Sequence, residues 1–156
     1  MDVATFQQLL QPLTTAVAGR DFGPALEADL GTRFPPGGDW FRQVEAACHA
    51  AIAVGWMCRQ GGAGRRFGRV IEPSAATGNL SVDVVDLTDI VGPHHVHPNG
   101  EVCMVMPQDP EATFDGGAAG WQVNTPGSAH RPTVRAGRAL VLYLLPDGAI
   151  EFTGQA

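Results

Sequence analysis

The sequence predicts a mainly β fold, a small antiparallel barrel that is preceded by an N-terminal helical region. Apolar residues recur at helical spacing over roughly the first 64 positions. After Phe67 the pattern changes to short runs rich in valine and leucine, separated by glycine, proline and aspartate, as an antiparallel barrel requires. With 156 residues, we expect one structural unit, in which residues 1–64 form a helical segment that packs on a barrel of residues 65–156.

Three helices are predicted in the first segment. Apolar positions between Val3 and Val17 follow a helical period, and Pro12 is expected to kink this helix or to end it. A short helical run covers residues 24–30. After the breaker of residues 35–38, Asp39 is the expected N-cap of a stronger, mostly buried helix over residues 40–58.

Eight short strands are predicted in the second segment, and eight suffice for a small barrel. The turn signals Asp115-Gly116-Gly117 and Asp147-Gly148 separate some of them. The predicted strands cover residues 67–71, 80–87, 93–97, 101–106, 120–124, 129–134, 139–145 and 149–152.

Composition excludes several classes of function. A net charge of −6 argues against nucleic acid as a partner, and the absence of a long apolar run argues against a membrane span. No basic leader is visible, so we expect a cytoplasmic protein. The chain has no lysine, which excludes Schiff-base and pyridoxal phosphate chemistry. Its three cysteines form no CxxC pair and are expected to be free thiols.

One cluster of motifs predicts a metal site. Strand alternation sends His95 and His97 to the same face and His94 to the other. The turn at residues 98–100 is expected to form a hairpin that places Glu101 across from these histidines, and His130 follows a second turn about thirty residues later. Imidazole and carboxylate ligands suit a divalent transition metal such as iron, manganese or zinc, and the set leaves room for water or substrate.

The spacing His-x-His-x3-Glu with a distal Pro-Gly-x-x-His resembles the two motifs of the cupin superfamily. That resemblance implies a cupin-like barrel, the double-stranded β-helix, with His95, His97, Glu101 and His130 as ligands of one metal. In the second motif, Val134 stands where cupins usually have an asparagine.

Longer strings resemble the 4-hydroxylaminobenzoate lyase family over essentially the whole chain. They are the helical N-terminus, His-Pro-Asn-Gly-Glu-Val, a Phe-Asp-Gly turn, Pro-Gly-Ser-Ala-His-Arg-Pro-Thr-Val and Ala-Leu-Val-Leu-Tyr-Leu-Leu-Pro-Asp-Gly-Ala-Ile-Glu-Phe. The resemblance implies a lyase that converts 4-hydroxylaminobenzoate to protocatechuate and ammonia, in bacterial breakdown of nitrobenzoate. The reaction is redox-neutral and consumes one water, which agrees with the lack of a dinucleotide-binding fingerprint.

The residues offer a hypothesis for this chemistry. The metal acts as a Lewis acid on the hydroxylamino oxygen, water adds at the ortho carbon, and the ring imine is hydrolysed. Glu101 either completes the coordination sphere or acts as the general base. Tyr143, the only tyrosine, is a candidate proton donor to the leaving oxygen, although its strand position also fits a packed side chain.

A small aromatic carboxylate as substrate calls for an arginine and an aromatic wall. Arginine binds a carboxylate bidentately, and the candidates are Arg131, Arg135, Arg66 and Arg69. Arg65, Arg66 and Arg69 lie where a glycine-rich loop could fold over the pocket, but a solvated loop is the favoured interpretation. Trp121 and Phe114 could flank the ring, although core packing is the more common role of such residues.

Two other classes of function stay open. The same ligands would support an iron-dependent dioxygenase, which oxygen uptake would reveal. A non-catalytic small-molecule binding module is the second alternative. We also expect a homodimer or a larger homo-oligomer.

Overall fold

The computed structural model describes residues 1–155 as a layer of three helices on a large antiparallel sheet, with a small second sheet on the other side. The helices are α1 (Val3–Val17), α2 (Pro24–Arg33) and α3 (Asp39–Val54). None of the helices in the described residues is long and apolar enough to cross a membrane.

The helix ends follow local capping chemistry. The Asp2 side chain accepts a hydrogen bond from the backbone N–H of Thr5 at 2.9 Å, and α1 then runs through Pro12 without a break. Asp39 is not the N-cap that we predicted, because Gly38 takes that position and Asp39 is the first helical residue. Helix α3 ends before residue 58, since Gly55 adopts the left-handed conformation (φ 95°) that terminates helices.

Ten strands within residues 1–155 form two separate sheets. The larger has the order β1-β2-β3-β9-β5-β7, with β6 paired to β9, and the smaller has the order β10-β4-β8. The strands are β1 (Gln60–Gly62), β2 (Arg65–Ile71), β3 (Leu80–Val91), β4 (His95–His97), β5 (Glu101–Pro107), β6 (Thr113–Phe114), β7 (Gly120–Asn124), β8 (Ser128–His130), β9 (Thr133–Pro146) and β10 (Glu151–Phe152).

The mainly antiparallel β fold behind a helical region is confirmed, but closure into a barrel is not. In the described residues no ladder of hydrogen bonds joins the two sheets. Strands β1 and β6 lie outside the predicted set, because β1 contains two glycines and β6 has only two residues, too few for a period of two to be visible. We predicted that one strand ends at residue 134 and the next begins at residue 139, but β9 runs through this segment without ending. A bulge opposite Thr88 and Ile90 accommodates the extra residues, and Ala136 there has a positive φ of 59°.

The two faces of the large sheet have different partners. Met104, Met106 and Leu142 point to one face and pack with the helices in a single buried hydrophobic cluster. Cys103 and Val141 point to the other face, where they join a smaller cluster beside the second sheet. Alternation along each strand therefore separates a structural face from a face that is available for a site.

Candidate metal centre

Three histidines of the small sheet converge on one point. His95 and His97 share a face of β4, and His95 lies directly opposite His130 of β8 in the strand register. Their Nε2 atoms form a nearly equilateral triangle, with separations of 3.0 Å (His95–His97), 3.1 Å (His97–His130) and 3.0 Å (His130–His95). His94 points away and its Nδ1 lies 2.6 Å from the hydroxyl of Thr153.

Glu101 reaches this triangle from the large sheet. Its Oε1 lies 3.2 Å from Nε2 of His97 and 3.7 Å from Nε2 of His130. The predicted hairpin between the histidine strand and the glutamate strand is wrong, because β4 and β5 belong to different sheets and do not pair. Residues 98–100 instead carry the chain from one sheet to the other, so the two sheets face each other across the site.

Together His95, His97, His130 and Glu101 form a histidine–glutamate cluster whose four donor atoms fit a metal ion. The donor atoms lie within 4.8 Å of one another, and His95, His97 and Glu101 are buried. Ligands bound to one ion at about 2.1 Å are themselves about 3.0–3.4 Å apart in octahedral or tetrahedral arrangements. The separations of the imidazole nitrogens fall at the short end of that range.

Hydrogen bonding at the far side of two rings supports this fit. Nδ1 of His95 lies 2.9 Å from the carbonyl oxygen of Pro93, and Nδ1 of His130 lies 2.6 Å from Oδ2 of Asp115. Both partners only accept, so each Nδ1 carries the proton and, in the neutral rings, both Nε2 atoms present lone pairs. Two lone pairs 3.0 Å apart repel each other unless a cation lies between them.

The electrostatics favour the protonation states that a metal needs at His95 and Glu101, whereas His130 holds its proton more firmly and releases it on binding a metal. Burial lowers the pKa of His95 to about 4, so this ring is neutral at physiological pH. Burial alone would raise the pKa of Glu101, but the bond to His97 and the charges of His97 and His130 outweigh it and hold that pKa below its ordinary value. Burial alone would lower the pKa of His130, whereas its bond to Asp115 raises it above the ordinary value.

Two supporting residues were not predicted from the sequence. Asn124 donates a hydrogen bond of 2.8 Å from Nδ2 to Oε1 of Glu101. Asp115 orients His130 and also accepts from the backbone N–H of Thr133 at 2.8 Å. The sequence identified Asp115 only as a turn residue, and nothing in its local pattern indicates that the turn folds against a histidine.

The cluster opens onto a largely apolar cavity. The 15 residues that line the cavity are Arg65, Phe67, Val85, Leu87, Gly92, Pro93, His95, Glu101, Phe114, His130, Pro132, Val141, Tyr143, Ile150 and Phe152. Phe114 and Tyr143, two of the candidate site residues, line this cavity. Trp121 does not, because strand alternation turns it to the helix face, where its indole N–H donates to the carbonyl of Phe34 at 2.9 Å.

The candidate arginines of β2 do not line the cavity. Arg66 is exposed and alternates to the opposite face from Arg65 and Phe67. Arg69 forms a bidentate ion pair with Asp83, with distances of 2.8 and 3.3 Å. The arginine that does line the cavity is Arg65, which we predicted in a loop that could fold over the pocket, with a solvated loop as the favoured interpretation.

The other two candidate arginines also lie away from the cavity. Arg131 follows His130 and points away from the cluster, as strand alternation predicts, and its Nη1 donates to the carbonyl of Gln155 at 3.1 Å. Arg135 is exposed on β9, next to the bulge. Neither is among the residues that line the cavity.

The fold and the site define a small antiparallel β protein with a buried cluster of three histidines and a carboxylate beside an apolar cavity. The chain belongs to the 4-hydroxylaminobenzoate lyase family, whose model matches residues 8–152, and it is accordingly an enzyme of the lyase class. Similar relatives are the 4-hydroxylaminobenzoate lyases of Nocardioides sp. (strain LMS-CY), 29% identical over 90% of this chain and 89% of that protein, and of Pseudomonas putida, 29% identical over 84% of each.

Solved structures that resemble this chain are more distant. DMSP lyase DddQ from Ruegeria pomeroyi DSS-3 is 19% identical, with a TM-score of 0.48 over 96% of both chains. A protein of unknown function with a cupin-like fold from Ralstonia eutropha JMP134 is 13% identical, with a TM-score of 0.39 over 57% of this chain and 64% of the other.

Proposed function

We propose that this enzyme converts 4-hydroxylaminobenzoate to protocatechuate and ammonia in a metal-dependent reaction. The observation that carries the proposal is the histidine–glutamate cluster at the wall of an apolar cavity, in a chain whose relatives are named for this substrate. One water is consumed, the nitrogen leaves as ammonia, and no external oxidant or reductant is required.

A divalent transition metal, iron, manganese or zinc, would be held by His95, His97, His130 and Glu101. When bound, it supplies Lewis acidity towards the hydroxylamino oxygen. The chain contributes three imidazoles and a carboxylate that is ionised at neutral pH. His95 is neutral at physiological pH, and the hydrogen bonds at Nδ1 of His95 and His130 leave their Nε2 atoms for the metal. This set of donors is compatible with each of these metals.

Glu101 acts in this proposal as a ligand rather than as the general base. The same oxygen, Oε1, faces both His97 and His130 and also accepts the hydrogen bond from Asn124. A carboxylate that is held from two sides has little freedom to move towards a water molecule in the cavity.

Tyr143 protonates the leaving oxygen. Its ring lines the cavity, and burial together with the negative charges of Asp83 and Glu101 raises the pKa of its hydroxyl well above the ordinary value. The phenol is therefore protonated at neutral pH, and its role as proton donor rests on its place in the cavity wall, since the raised pKa makes it a weaker acid. Water then adds to the ortho carbon, and hydrolysis of the ring imine releases ammonia.

The apolar walls favour a flat ring. Phe114 and Phe67 lie among aliphatic side chains around the cavity, and they would bury an aromatic ring while they limit the access of bulk water to a reactive intermediate. The enzyme would act in the cytoplasm, where its three buried free cysteines are compatible with a reducing environment. Assembly into a homodimer or larger homo-oligomer stays a prediction.

The test is an anaerobic assay of ammonia and protocatechuate with 4-hydroxylaminobenzoate, coupled to metal analysis of the purified protein. We expect turnover without oxygen, and we expect His97→Ala to lose bound metal and turnover together because it removes one corner of the triangle. His94→Ala is the matched control. Because His94 points away from the cluster, this variant should keep both its bound metal and its turnover. Full activity of metal-free protein would refute the metal dependence, and oxygen uptake without ammonia release would indicate a dioxygenase instead.

A further inference from the structure

We propose that Arg65 binds the carboxylate of the substrate and makes the enzyme specific for aromatic carboxylates. The inference builds on the proposed function, because it concerns the ligand of the same cavity. It assigns a role to a side chain that lines the cavity but does not belong to the histidine–glutamate cluster.

Arg65 is the one lysine or arginine among the residues that line the cavity. None of the ion pairs or hydrogen bonds within residues 1–155 engages its guanidinium. By contrast, Arg69 on the same strand is neutralised by Asp83, and Arg138 on β9 is neutralised by Asp86 at 2.8 Å. A cation without a carboxylate partner, in an otherwise apolar wall, is available to an anionic ligand.

The guanidinium is already oriented. Its Cζ lies 4.6 Å from the ring centroid of Phe67, two residues further along β2, which is within the range of a cation–π contact. The turn that precedes Arg65 is tied to the neighbouring strand by a hydrogen bond of 3.0 Å from the N–H of Thr88 to the carbonyl of Gly64. These contacts reduce the freedom that a long side chain would lose on binding a ligand.

Strand register places Arg65 towards the opposite end of the cavity from Tyr143. Arg65 pairs with Leu87 of β3, whereas Tyr143 pairs with Asp83 of the same strand. The two positions are four residues apart, which is about 13 Å of backbone at about 3.3 Å per residue. Both residues line the cavity, and the guanidinium of Arg65 lies over the ring of Phe67, which is one step along β2 towards the end of Tyr143.

This layout fits a rigid, para-substituted ring. The reacting group would lie against the histidine–glutamate cluster and Tyr143, the ring against the apolar walls, and the anionic group against Arg65. A guanidinium donates two parallel hydrogen bonds to the two oxygens of a carboxylate. A ligand with a neutral amide in place of the carboxylate has only one such oxygen and cannot accept both bonds. Specificity for the carboxylate therefore follows from one residue.

The test compares the binding of 4-nitrobenzoate and 4-nitrobenzamide, two unreactive compounds of the same shape, by calorimetry with the protein as purified. We expect the wild-type protein to bind the carboxylate at least about tenfold more tightly. Arg65→Met should abolish that preference, and Arg65→Gln should do the same if the methionine variant folds poorly. Arg66→Met is the matched control, because Arg66 is exposed on the opposite face of the same strand, and it should keep the preference.

Steady-state kinetics distinguish the role of Arg65 in binding the carboxylate from the lyase activity itself. With 4-hydroxylaminobenzoate, Arg65→Met should raise KM about 10- to 100-fold, while its turnover of the corresponding amide should match that of the wild type. If the wild type prefers the carboxylate through Arg65 but releases no ammonia, the lyase proposal fails and this inference stands. If the wild type shows no preference, or if folded Arg65→Met or Arg65→Gln keeps it, the inference is overturned.

Discussion

At the scale of single residues, the tautomers of His95 and His130 are decided by groups outside the cluster. The carboxylate of Asp115 and the carbonyl of Pro93 accept hydrogen bonds from the Nδ1–H groups of His130 and His95, which leaves both Nε2 atoms free to bind a metal. Such partners orient a ligand and raise its basicity, so they matter almost as much as the ligand itself.

Asp115→Asn is therefore expected to weaken metal binding by about 10- to 100-fold. The amide oxygen can still accept from the N–H of Thr133, which turns the amide NH2 towards His130 and favours the tautomer whose Nε2–H points into the cluster. The measurement is the dissociation constant from a metal titration of apoprotein.

Asp109→Asn is the control for this variant. Like Asp115, Asp109 has a carboxylate that accepts a hydrogen bond from a backbone N–H, in this case that of Arg138, but Asp109 contacts none of the four cluster residues. Equal affinities of Asp115→Asn and the wild type would show that the carboxylate does not orient the ring.

At the scale of elements, the turn at residues 98–100 connects the two halves of the site. Local pattern identified this turn and both flanking strands, but it could not tell a hairpin from a crossing between sheets, because both need the same turn residues. The crossing depends on Gly100, whose φ is 86° and whose Cα faces Phe22 and the carbonyl of Asn124. A Cβ there would lie 2.7 Å from the Phe22 ring and 2.9 Å from that carbonyl oxygen.

Gly100→Ala is expected to destabilise the fold by about 2–4 kcal/mol, since strain of the left-handed backbone adds to the steric conflict. The free energy of unfolding from urea denaturation measures this effect. Gly19→Ala isolates the backbone component, because Gly19 has a φ of 73° with no atom near the position of a Cβ, and it should lose about 1–2 kcal/mol. Equal losses in the two variants would contradict a steric role for the turn.

At the scale of the whole molecule, the cluster joins the two sheets. His95, His97 and His130 come from the small sheet and Glu101 comes from the large one, while no strand ladder connects the sheets within the described residues. A bound metal would thus tie together two parts of the fold that otherwise meet only through side chains and loops.

Removing the metal with a chelator is expected to lower the melting temperature. A ligand that binds only the folded state stabilises that state by about 2.7 kcal/mol when its free concentration is 100 times its dissociation constant. In a domain of this size that corresponds to about 5–10 °C. Scanning calorimetry with and without chelator measures the shift.

The His97→Ala variant provides the comparison for this experiment, since its melting temperature should not respond to the chelator. An identical melting temperature of the wild-type protein with and without chelator would contradict a metal that joins the sheets.

Local periodicity in the sequence predicts the three helices, most of the strands, and the face that His95 and His97 share. The sequence also identifies the four cluster residues, because their spacing is unusual and the rest of the chain has few histidines. Four further facts are visible only in the folded chain: the sheets stay separate, Asp115 supports His130, Trp121 packs under the helices and Arg65 lines the cavity. Those facts depend on contacts between residues far apart in the chain, to which local patterns of polarity are insensitive.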